Sequence, residues 1–538
     1  MNMFLNQLTT KNTTTENGAI SNSSTGSALL DQFGKVATYA LAKRSQNTID
    51  SEMAAIWDEN PELAMKALFY WRMVTRQNKG ALKTETVQKG QGVRHEVFQR
   101  MLWVAKNHPE AFYKNMHLIP EAGSWKDLIT LWEMDTQGVI SLDSIFELYN
   151  EVFLHNSEAS AYHIENIKKY LPTARSKKNC TTDHLKKMRS FVHKFLETFE
   201  MTEKEYREFK KSGISHKFQR DICGKNFEQL NFSTVGGRFL PRLTRKSKNG
   251  QTFLQKWGLE NRYMEWLMKK PVVNFTGYPY ELYQRALKSP NLAEEFTLNK
   301  QFEGLLQMAK KDGGAIQGNV WCALDTSGSM QSRLSATLPA LDVCVSLGIY
   351  FSSLNEGAFK DQVIMFDTVS TIKKLSGSFV DKTKQVPMDS MGSTNFQSVI
   401  DEIVRVRKAA PGIPISDFPS TLIVVSDMQF NPTGKTFQDS YRGRDYNGDM
   451  QTNYEVAMAK LEAAGLPRIN IVWWWVTGRG NDQPVRMDDK GTILVGGFDG
   501  SVISTLLGGE TAKTGKMTTP MEAMLLALDQ ELLQHVKV

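Results

Sequence analysis

Asp325, Ser327 and Ser329 stand on alternate positions at the end of an apolar run, in the stretch VWCALDTSGSM from Val320 to Met330. Two readings fit such a stretch. It is a strand followed by an ordinary turn, or it is half of a site for a hard cation. Carboxylate and hydroxyl oxygens without His or Cys suit Mg²⁺, which prefers six oxygens in near-octahedral order and keeps some of them as water. Two more donors must then come from other loops, and the chain offers them. Thr394 lies in MGSTNF just before a helical stretch, and Asp427 ends the apolar run TLIVVSD as Asp325 ends VWCALD. Two carboxylates and three hydroxyls brought together cannot satisfy one another without a cation, because like charges in one place cost energy. The expected cofactor is one Mg²⁺, or Mn²⁺ in its stead.

The elements that must position these donors follow from periodicity. After about residue 315, short apolar runs (VWCALD, QVIMFD, TLIVVSD, INIVWWW, TILVGGF) alternate with amphipathic stretches such as NFQSVIDEIVRV and NYEVAMAKLEAAG. That alternation predicts a mostly parallel, doubly wound α/β sheet with helices on both faces. Ligands bind such sheets at the carboxyl ends of the strands, where Asp325 and Asp427 stand. From about 30 to 315 the signal is helical. In DHLKKMRSFVHKFLETF, residues Leu185, Met188, Val192, Phe195, Leu196 and Phe199 recur at three- and four-residue steps, one stripe on a helix. Thr202 followed by Glu205 reads as a capping box opening the next helix. Many helices on short links predict a helical array, without an exact period. Residues 8–27, rich in Thr, Asn, Ser and Gly, are expected to be disordered. The predicted division is a disordered tail at 1–29, a helical-repeat domain at 30–315 and an α/β domain at 316–538.

At 538 residues the chain has room for several domains, and its composition is that of a globular protein. No apolar run is long enough to cross a bilayer, and the start lacks the features of a secretory signal. The four cysteines are far apart and read as reduced thiols, which places the protein in a reducing cytoplasm (a host's, if the chain is viral). Net charge is uneven. Residues 161–250 hold 21 Lys and Arg against 9 Asp and Glu, a net of +12, so the remainder of the +7 chain is near −5. A concentrated basic segment suggests a polyanionic partner; solvated helix faces are the plainer alternative. Some tempting motifs fail. NPTGKTF would need a glycine where Gln429 stands to be a phosphate-binding loop, and the triple tryptophan at 473–475 reads as sheet core.

DTSGSM, Thr394 and Asp427, in that order, resemble the metal-ion-dependent adhesion site of von Willebrand factor A domains. The resemblance implies metal contact by Ser327, Ser329 and sometimes Thr394, with Asp325 and Asp427 direct or through water, and a partner's carboxylate at the open position. The stretch KGQGVRHEVFQRMLWVAKNHPEAFYKNMHLIPEAGSWKDLI, then YLPTARSKK, TEKEYREF, the segment from Lys225 to Arg238, SDMQF and QTNYEVAMAKLEAAGLP resemble an uncharacterised cellular and viral family. That family joins a TROVE-like (HEAT-like) helical domain to a C-terminal von Willebrand A domain and is related to the Ro ribonucleoproteins. The resemblance implies RNA on basic surfaces of the helical ring. Phosphate contacts need Lys and Arg, and single-stranded bases add stacking. The candidates are Lys89, Arg94 and His95 beside Gly90 and Gly92; Arg175, Lys177 and Lys178; and Lys217, Arg220, Lys225, Arg238, Arg242, Arg245 and Lys246. Two rivals remain. One is a protein-interaction scaffold whose metal grips an acidic residue without RNA. The other is a metal-dependent hydrolase, disfavoured because no histidine pair or second metal accompanies the oxygen donors, so a non-enzyme is expected.

Overall fold

The computed structural model describes residues 13–39, 44–78, 86–155, 158–172, 182–311, 315–316, 318–386, 392–433, 451–478, 480, 482–507 and 518–538. A helix-rich part precedes a C-terminal α/β part. Six strands form the main sheet: β1 (Val320–Asp325), β2 (Gln362–Phe366), β3 (Ser370–Lys374), β4 (Thr421–Ser426), β5 (Asn470–Trp475) and β6 (Thr492–Gly496). Their spatial order is β6-β5-β4-β1-β2-β3, and every pair is parallel except β2–β3. Successive strands are therefore added first to one side of β1 (β2, β3) and then to the other (β4 to β6), which makes the β1–β4 boundary the switch point where open α/β sheets bind ligands.

Strands β1, β4, β5 and β6 are buried almost throughout, which is why they read as continuous apolar runs rather than as alternating ones. The three tryptophans of β5 are core. Trp473 meets Phe396 and Phe430 on one face, and Trp474 meets Phe351 on the other. The edge strand β3 is largely exposed and ends in Lys373 and Lys374, charges that discourage pairing with another chain. Helix Ala340–Leu354 is buried at every position. Mostly apolar, with its few polar side chains (Asp342, Ser346, Ser352, Ser353) buried as well, it sits between the sheet and helices Pro279–Ala286 and Leu292–Lys310. Cys322 and Cys344 are buried, Cys223 is exposed, and Cys180 lies outside the described residues. Among the described residues no helix is long and apolar enough to cross a membrane.

In the helical part, local signals account for many element ends. Asn60 caps helix Pro61–Arg72 through Leu63 N, and the Thr202–Glu205 box opens Glu203–Ser212. The stripe on Thr182–Thr198 is buried at Met188 and Phe195, and Phe191, outside the expected stripe, is buried too; Phe191 and Phe195 lie edge-on to Phe146. One core runs through helices and sheet alike. A second, smaller one (Phe218, Leu230, Phe232, Leu240, Leu243, Leu254, Tyr263, Leu267 among others) lies under residues 218–293.

The tail expected at 1–29 is not disordered over residues 13–29; residues 1–12 lie outside the described residues. Thr13–Thr14 pairs antiparallel with Ile20–Ser21, and helix Ala28–Thr38 packs on β5 and β6. The α/β part therefore takes in both ends of the described chain. Low apolar content failed as a guide because the hairpin needs no core of its own. It hydrogen-bonds to loops already fixed by the sheet, as Asn22 does with Gln483 in both directions.

Candidate functional site

Strand topology brings the two acids of the five oxygen donors together, and backbone hydrogen bonds hold the loops of the other three at the same end of the sheet. β1 and β4 are adjacent, with Leu324 opposite Val425, so their carboxyl ends deliver Asp325 and Asp427 side by side. The Asp325 carboxylate accepts from Ser327 N at 2.9 Å and from the Ser426 hydroxyl. Ser327 and Ser329 Oγ lie 3.1 Å apart. The loop carrying Thr394 is pinned on three sides. Gly328 N donates to Gly392 O (3.0 Å), Asn395 N to Asp367 O (2.8 Å) and Asn431 N to Thr394 O (2.9 Å). Asp427 accepts from Gln429 N at 3.2 Å, around a turn in which Met428 takes φ +65°, a costly left-handed conformation for a non-glycine.

Asp325 and Asp427 have no exposed surface, and Ser327 and Thr394 are 1% exposed. Burial first, then the charge of Asp427, push the Asp325 carboxyl up to about 7. Two buried carboxylates at adjoining strand ends, with three hydroxyls beside them, fit a hard cation by the chemistry of their donors. Among the described residues, no cluster of three His, Cys, Asp or Glu side chains could hold a metal. Sequence reasoning missed Ser426. It donates to Asp325 and accepts from Met428 N at 2.9 Å, yet it looked like one more strand residue. It also missed Asn17, which reaches Thr394 from the N-terminal hairpin and whose signal was the Asn17–Gly18 turn pair.

The basic candidates scatter. Lys89, expected on the RNA surface, does not face solvent. It is 2% exposed and donates to Ser504 and Thr505 Oγ (both 3.1 Å), while its backbone exchanges hydrogen bonds with Gln530, so it joins the two parts of the chain. Gly90 serves the same packing, since a Cβ there would lie 2.6 Å from Tyr70 O. Arg94 and His95 are exposed, as are Arg220, Lys225, Arg238, Arg242, Arg245 and Lys246. Arg175, Lys177, Lys178 and the side chain of Lys217 lie outside the described residues.

Two of the exposed set converge. Arg94 and Arg238 line a cavity of 640 Å³ together with Arg285, Lys288, Tyr278 and Tyr280, and with Asp499 from the α/β part. Tyr278 and Tyr280 stack at 5.6 Å, and Arg238 lies over Tyr278 while pairing with Glu281. Arg94 and Lys288 form no ion pair among the described residues. Elsewhere, Lys225 and Lys256 both sit over the ring of Trp257, and Arg242 over that of Phe239.

Residues 15–221 match a family model described as Domain of unknown function (DUF2828), and residues 320–531 match Domain of unknown function (DUF7788). An uncharacterized protein of Acanthamoeba polyphaga mimivirus is 22% identical over 562 residues, covering 97% of this chain and 88% of the relative. Among solved structures, the RO (RSR) protein of Deinococcus radiodurans is similar over 86% of this chain and 98% of its own, at 11% identity and a TM-score of 0.42.

Proposed function

We propose that this chain is a Ro-like RNA-binding protein, with a TROVE-type helical array and a von Willebrand A domain that holds Mg²⁺ or Mn²⁺ for assembly or partner contact. The observation that supports RNA is the convergence of Arg94 and Arg238, distant in sequence, beside stacked tyrosines in one cavity. Cations for phosphate and rings for bases are what a single strand needs. Asp325, Ser327, Ser329, Thr394 and Asp427 would hold the cation, which supplies an electrophilic position for an oxygen ligand. The protein is then a binder and not an enzyme, since these donors bring carboxylates and hydroxyls but no positioned imidazole.

A scaffold without RNA is the second reading, favoured by the burial of Lys89, which removes one candidate from the basic surface. Titrating a labelled single-stranded RNA at stepped salt separates them. Arg94→Ala and Arg238→Ala should each weaken binding about tenfold, the worth of a charge-assisted contact of roughly 1.5 kcal/mol. No binding by the wild type at low salt would leave the scaffold reading.

A further inference from the structure

The hairpin turn Thr15–Gly18 packs on the segment that follows Asp427 and touches one of the oxygen donors, Thr394. Thr15 Oγ1 donates to Phe430 O, and the Glu16 amide to Gln429 Oε1, both at 2.6 Å. The Asn17 side-chain nitrogen donates to Gln429 O and, at 3.3 Å, to the hydroxyl of Thr394. Gln429 in turn bonds Asp427 through its own amide. Farther along, Ser21 Oγ donates to Gln483 O at 2.8 Å, fastening the hairpin's second strand to the loop after β5. The turn is locally built, with Gly18 at φ +90° and its N–H on Thr15 O at 2.9 Å. Its contact with the cluster is at Thr394, which is 1% exposed and whose hydroxyl accepts from Asn17.

We propose that this hairpin is an intramolecular cap on the cluster, seated against Thr394, where it would hinder a partner's carboxylate from reaching a bound cation. The proposal rests on the metal reading above. The cap is held at its tip by hydrogen bonds and by no large apolar side chain. It is therefore stable when nothing competes, yet displaceable by a ligand that gains more from the cation than the cap loses. Asn17 is the residue that couples the two, because it bonds a cluster donor directly.

The test uses the full chain with Mn²⁺ as the probe and acetate as the smallest carboxylate. Water-proton relaxation by bound Mn²⁺ reports the exchangeable water on the ion, and acetate displaces that water. Asn17→Ala removes the contact. Gly18→Val separately strains the turn, because a side chain is placed on backbone at φ +90° with no protein contact deleted. Both variants should raise the relaxation enhancement. Both should also tighten acetate binding about fivefold, the population shift that loss of one net hydrogen bond gives. Enhancement and acetate affinity equal to wild type in both folded variants, with Mn²⁺ bound, would overturn the cap alone. No Mn²⁺ binding by any of the three proteins would overturn the metal reading and the cap with it.

Discussion

The oxygen cluster and the basic surface obey different rules of construction. The cluster's donors are short side chains at the ends of buried parallel strands, so once β1 and β4 pair, Asp325, Ser426 and Asp427 have nowhere else to go. The basic candidates are long side chains on helices and connecting segments, where neighbours in sequence part company. Lys89 turns inward to Ser504, whereas Arg94, five positions on, faces a cavity. A metal-type constellation is thus a statement about topology. A charge-rich stretch is a statement about composition, and only tertiary packing decides which of its members meet a ligand.

Removing a strand-end acid should have the largest effect. Asp325→Ala should weaken Mn²⁺ binding, measured by calorimetry, by more than the roughly 10–100-fold that loss of a merely supporting group costs. Its far-ultraviolet dichroism should stay native, because deleting one of two facing buried carboxylates relieves repulsion in the metal-free protein. Wild-type Mn²⁺ affinity in this variant would place the ion elsewhere.

Next in size is Lys89. Lys89→Ala deletes two hydrogen bonds across the junction, one buried and one part-buried, and should cost about 1–3 kcal/mol in urea unfolding, with the salt dependence of any RNA binding unchanged. Undiminished stability with a flatter salt slope would make Lys89 an RNA contact and not a junction residue.

What sequence could show divides along the same line. The apolar runs became β1, β2, β4, β5 and β6, and the Thr202–Glu205 box opened its helix, because these signals act over a few residues. Asp325 and Asp427 were legible as strand ends. Ser426 was not, since within TLIVVSD nothing separates a hydroxyl facing the site from one filling the sheet. The hairpin at 13–21 was hidden because its order comes from acceptors on distant loops, Phe430 O and Gln483 O, although Asn17–Gly18 marked the turn locally. The meeting of Arg94 with Arg238 depends on how the array folds back on itself, and no local pattern encodes it.

The smallest effect belongs to the exposed charges above the second core. Arg242, Arg245 and Lys246 are all exposed, on or just after the short helix Pro241–Thr244, and Arg242 lies 5.1 Å over the ring of Phe239. Changing all three to Ala removes charge and little buried contact, so stability should stay within about 0.5 kcal/mol of wild type. If each neutralises one phosphate of a single strand, the log–log salt slope should flatten by roughly 0.7 per residue, about 2 in all. Because screening weakens exposed contacts, the loss of affinity should shrink steadily as salt rises toward physiological strength. The cavity arginines, held beside stacked rings, should lose affinity at every salt concentration. An unchanged slope in the triple variant would make this face a solvated surface and leave the cavity as the whole of the RNA contact argued above. A slope change as large in Arg94→Ala as in the triple variant would mean that more than one phosphate contact depends on the cavity.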